Sequence, residues 1–129
     1  MDVMETIKEK LRKYPHVTLE EGAGSIRVLP PDETGFTVAL CADAGAFTVS
    51  FDGWHEDFDN ENDALNCFAF GLSDKARLKA LSRGGTDYHW TLESRQGDAW
   101  VADSSVGLFL FPFWRKRSVR YLQNSVIAD

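Results

Sequence analysis

Apolar and polar positions alternate most sharply between Phe36 and Phe51. Phe36, Val38 and Leu40 alternate with Thr37, Ala39 and Cys41; Phe47, Val49 and Phe51 alternate with Thr48 and Ser50. A period of two is that of half-buried strands. Ala42-Asp43-Ala44-Gly45 separates the runs with residues that tolerate turn dihedrals, which predicts a β-hairpin. Pairing through that turn sets Leu40 opposite Phe47, Val38 opposite Val49 and Phe36 opposite Phe51. These large side chains then share one face. Burying each is worth roughly 1.5–3 kcal/mol, so the face must meet a second layer.

The second layer follows in the chain. After Asp52-Gly53-Trp54 the pattern turns polar and reads as a loop, then Asn60 offers a helix N-cap, with Glu61 and Asp63 at the positive end of the dipole. Ala64, Leu65, Phe68 and Leu72 recur at helical spacing, with Gly71 a weak internal stop. A helix lying across the hairpin's apolar face is predicted.

The flanks extend this plan. Met4, Ile7 and Leu11 predict a first helix within Asp2 to Tyr14, ended by Pro15, that covers a sheet or packs between copies. Val17 and Leu19, then Ile26 and Val28, predict a further hairpin through Glu21-Gly22-Ala23-Gly24, with Gly22 at positive φ. Ser73 reads as the cap of a short helix carrying Leu78 and Leu81, ended by Arg83-Gly84-Gly85. Tyr88, Trp90 and Leu92 alternate with His89, Thr91 and Glu93; a three-residue loop Arg95-Gln96-Gly97 returns the chain, setting Trp100 opposite Leu92, Ala102 opposite Trp90 and His89 opposite Asp103. Gly107 to Phe111 reads as a strand buried on both faces, stopped by Pro112. Val119 and Leu122 predict a terminal helix over Trp114 to Asn124.

The expected fold is therefore α+β, one globular domain over 1–129, with an antiparallel sheet of about six to seven strands and helices on one face. The element order is α-ββββ-α(α)-βββ-α. In that order the chain is similar to the small dimeric type III secretion chaperone-like domains, which share a first helix, antiparallel strands, a middle helix, more strands and a last helix. The early hairpin departs from it. Architecture of this kind does not fix a function.

Composition narrows the classes. The 129 residues are 43% hydrophobic and 26% charged, which suits a globular fold. A net charge of −6 opposes a general phosphate-backbone binder, so no nucleic-acid partner is expected. Cys41 and Cys67 make no disulfide framework. Met1 to Tyr14 lacks a signal-type apolar core, and the longest apolar run, Val106 to Trp114, is far short of a membrane span. A cytoplasmic protein is the expectation. Neither a glycine-rich phosphate loop nor a Cys-x-x-Cys is present, so no cofactor is expected.

Four groups of residues carry candidate chemistry. His55, Glu56, Asp57 and Asp59 sit in an acidic stretch from Asp52 to Asp63 that suits a divalent cation, or simply water and a helix dipole. The EF-hand spacing fails there, because Asn62 and Phe68 occupy the required glycine and carboxylate positions. His89 beside Asp103 would be the supporting half of a catalytic dyad, with Ser104 and Ser105 near but no nucleophile elbow; the plainer reading is a polar cross-strand pair. Cys67 reads as a small buried hydrophobe. Trp114, Arg115, Lys116, Arg117 and Arg120, after Phe111 and Phe113, form the one concentration of positive charge and suit an acidic peptide, a phosphate, an anionic membrane or the chain's own acidic stretch. The leading expectation is a non-catalytic binding or adaptor domain that recognises a protein or peptide, a homodimer being one form of it. The alternatives are a small metal-dependent or His/Asp-based hydrolase, and an immunity-type protein that neutralises a basic target.

Overall fold

The computed structural model describes residues 2–126. Its order is α1 (Val3–Leu11), β1 (Leu19–Gly22), β2 (Ser25–Val28), β3 (Val38–Asp43), β4 (Ala46–Phe51), β5 (Trp54–Phe58), α2 (Glu61–Leu72), β6 (Ala76–Arg83), β7 (Thr86–Gln96), β8 (Ala99–Gly107) and β9 (Arg117–Leu122). The fold is α+β and its strand pairs are antiparallel. In place of one sheet there are two: a five-stranded meander β1-β2-β3-β4-β5 and a four-stranded sheet β8-β7-β6-β9.

The central hairpin keeps its predicted face with a different register. Val38 faces Phe51, Leu40 faces Val49 and Ala42 faces Phe47. The turn is the two-residue Ala44-Gly45, both at positive φ (51° and 84°), so the register moves by two and every side chain stays on its side. Val38, Leu40, Val49 and Phe51 are fully buried. The first hairpin also turns through two residues, and the positive φ falls on Gly24 rather than Gly22.

Asp52-Gly53 makes another tight turn, and the polar stretch after it is strand β5, with Trp54 pairing back onto Phe51. The expected loop is thus mostly an edge strand. Trp54 is buried, stacks on Phe51 at 4.8 Å, and donates its indole N–H to Ser104 Oγ at 3.0 Å. That bond joins the two sheets where β5 approaches β7 and β8.

Helix α2 forms as its cap implies: the Asn60 side chain accepts the Asp63 N–H at 2.8 Å. Its buried stripe, Ala64, Phe68 and Leu72, lies over β3, β4 and β5. Gly71 is no stop; the Phe51 ring fills the space a Cβ there would need. Helix α1, capped by Asp2, buries Val3, Ile7 and Leu11 and packs on α2.

Three predicted elements are overturned. The short helix after Ser73 is strand β6, burying Ala76, Leu78, Ala80 and Ser82 in strict alternation; Ser73 is the C-cap of α2. The terminal helix is strand β9, paired to β6. The buried strand Gly107 to Phe111 is the end of β8 followed by an exposed loop. The last helix implied by the chaperone-like order is therefore not found among the described residues.

Behind β9, Asn124 is buried and doubly bonded. Its side-chain oxygen accepts the Phe36 N–H at 2.8 Å and its amide donates to the Gly71 carbonyl at 2.9 Å. Replacing it with alanine strands both backbone groups, each at roughly 1–3 kcal/mol. Asn124→Ala is accordingly expected to lower the unfolding free energy by about 2–5 kcal/mol in urea titration.

Candidate functional site

The β8–β9 connection is built from an apolar run that finds no core to enter. Its base is tied down: Leu108 N–H donates to Tyr88 O at 2.7 Å, Gly84 N–H to Lys116 O at 3.2 Å, and Arg83 Nη1 to Arg115 O at 3.1 Å. Phe111 stacks on Tyr88 at 4.2 Å, nearly parallel. Gly84, at φ +58°, leaves room for the aliphatic stem of Arg115. Two short backbone bonds, Phe113 N–H to Phe111 O and Arg115 N–H to Pro112 O, fold the loop on itself. What remains points into water. Phe109 is 96% exposed, Leu110 82%, Phe113 68% and Trp114 70%.

Arg115, Lys116 and Arg117 continue this surface, all exposed and none in an ion pair among the described residues. Arg120, predicted to join them, does not. Three positions apart on a strand means opposite faces, whereas a helix would have aligned them. Arg120 instead clamps Asp87 through two bonds at 2.8 and 3.0 Å. That hydrogen-bonded carboxylate raises the guanidinium's pKa.

The acidic stretch is drawn out along β5 and the first turn of α2. His55 and Asp57 lie on one face of the strand and Glu56 on the other. Asp57 accepts the Thr48 hydroxyl at 2.7 Å. Among the described residues, no three of His, Cys, Asp and Glu come together as a metal site.

The predicted His89–Asp103 pair is not formed. The β7–β8 turn is Gly97-Asp98, and a bulge at Leu92/Glu93 shifts the register again. His89 faces Gly107, and Trp100 faces Arg95 instead of Leu92. Asp103 lies at the bulge, accepting from Ser94 Oγ at 3.4 Å. Ser105 pairs with the Thr91 hydroxyl, as Ser104 does with Trp54.

The outer face of the second sheet was not anticipated. Arg77 lies between the rings of Trp100 (4.5 Å) and Tyr121 (4.2 Å) and bridges Glu93 at 2.6 Å. The alternation of Arg77, Lys79, Leu81 and Arg83 with Ala76, Leu78, Ala80 and Ser82 carried that signal.

Cys67 and Asp52 also have shifted pKa values. Burial pushes the Cys67 thiol up to about 12, with Glu56 adding to it. Asp52, at φ +52°, is raised by burial and by Asp87, although the Thr37 N–H and Arg120 favour its charge. Comparison with protein-family models, with curated proteins and with solved structures finds no match. No helix among the described residues is long and apolar enough to cross a membrane.

A raised Asp52 pKa means the folded state holds this proton more tightly than the unfolded chain does. Its contribution is fully present below the unfolded pKa and is lost as pH rises through the folded one. Asp52→Asn keeps an acceptor for Thr37 and tolerates the left-handed φ. The variant is expected to be more stable than the parent at pH 7, by less than about 1 kcal/mol after solvent screening, with the gain vanishing in acid. Thermal melts across pH measure this. For the cysteines, a thiol-specific reagent at neutral pH is expected to modify exposed Cys41 in the native protein and Cys67 only after denaturation.

Proposed function

We propose that this chain is a non-catalytic binding domain whose working surface is the 108–117 segment. The carrying observation is the set of four large apolar side chains, Phe109, Leu110, Phe113 and Trp114, held outward on an anchored loop. Covering each is worth roughly 1.5–3 kcal/mol, so water is a costly permanent environment for them. Contiguous exposed patches of this kind mark interaction sites. Aromatics with adjacent Arg are also the composition of interface hot spots.

A protein partner suits the surface better than a lipid bilayer. The net charge of −6 opposes approach of the whole molecule to an anionic membrane, while three local cations still select a partner with carboxylates beside an apolar seat. The anchors at Tyr88, Gly84 and Arg83 hold the loop's base before binding, which reduces the ordering cost.

The combined variant Phe109→Ser, Leu110→Ser and Trp114→Ser is expected to fold with an unchanged or slightly higher melting temperature, since it removes only exposed groups. It is expected to lose, by tenfold or more, the partners that the parent retains in proximity labelling. Identical partner sets for parent and variant would remove the basis of the proposal.

A further inference from the structure

We infer that the partner seated on this loop is a second copy of the same chain; the inference rests on the binding reading above and names its occupant. The complement lies on the helices. A groove of ≈ 130 Å³ runs between α1 and α2, lined by the apolar side chains of Ile7, Leu11, Leu65, Phe68, Ala69 and Leu72, with Lys10 and Asn66 at its polar margin. Glu61 sits one helical turn before Leu65, about 6 Å along the axis. Asp59 and Glu56 precede it, and none of these three carboxylates forms an ion pair among the described residues.

Each copy thus carries an apolar projection beside free cations and an apolar recess beside free carboxylates. Phe109 and Leu110 enter the groove while Arg115 and Arg117 meet Glu61 and Asp59. Charge complementarity selects a second copy because both halves of the contact occur on one chain, each an apolar surface with charges at one end. A two-fold arrangement makes the contact twice and closes at a dimer. Lys10, at the groove's margin, is exposed, and a lysine so placed can cover apolar surface with its stem while its charge stays in water.

The test is sedimentation of the full chain at low and high salt, with circular dichroism confirming the fold of each variant. The expected result is a dimer that loosens as salt rises. Arg117→Glu, Glu61→Lys and Ala69→Gln, all at positions off the core, are each expected to weaken it at least tenfold. Mixing Arg117→Glu with Glu61→Lys is expected to restore a dimer, because the reversed pair is again of opposite sign.

A parent that stays monomeric at every concentration overturns the inference, as does a dimer indifferent to all three substitutions. In the monomeric case the triple serine variant separates the two readings. Loss of a labelled foreign protein leaves the binding surface standing with another occupant, and unchanged labelling removes both. Loop-dependent retention of a monomer on phosphatidylserine vesicles also overturns the second copy, and assigns the loop to lipid.

Discussion

The structure depends on one buried amide. Asn124 accepts from Phe36 and donates to Gly71, so a single side chain joins the first sheet's loop, the end of α2 and the segment leaving β9. Backbone bonds on either side repeat the connection: Gln123 N–H to Thr34 O and Val126 N–H to Leu72 O, both at 2.8 Å. A buried amide is tolerated only when its donor and acceptor are both met, and here they are. Gly35 is part of the same device, because any side chain there would occupy the place of the Asn124 oxygen. The two sheets share a core through this clamp and through the Trp54–Ser104 bond.

What could be read from the chain was whatever large residues at strict intervals declare. The Phe36–Phe51 face, the Asn60 cap and the Phe68–Leu72 stripe are local patterns with strong side-chain energies behind them. Register was not legible, because it hangs on turn length, and Ala44 at φ 51° is a conformation that composition does not advertise. Leu78 and Leu81, like Val119 and Leu122, stand three apart and mimic a helix. Their true partners lie across β6 and β9, a non-local pairing that overrides the spacing. The error at Arg120 follows from that, since a strand sends it away from Arg117. Phe109 and Leu110 misled for another reason: a short apolar run reads as core, and only the fold reveals that no core remains to receive it.

The molecule's charge is arranged by these same elements. On the second sheet, Arg77 is spent within the chain, stacked between two rings and bridged to Glu93; Arg120 is spent on Asp87. The cations of the 115–117 segment and the carboxylates along β5 and the α2 N-terminus form no ion pair among the described residues. A surface that neutralises some charges internally and leaves others in two separated groups has a direction. A field of that kind orients any charged molecule that approaches it.

The Asn124 clamp also sets an order of events during synthesis. Hairpins β1–β2, β3–β4 and β6–β7 close over two-residue turns and can form as soon as they leave the ribosome. The amide that locks the sheets together bonds a residue 88 positions earlier, and β9 must reach back past β8 and β7 to find β6. Until Asn124 has emerged, the nascent chain therefore carries β6 with an unpaired edge and Phe36 with an unmet N–H. It is in that interval, rather than in the finished fold, that the chain is most open to aggregation and to the attention of chaperones.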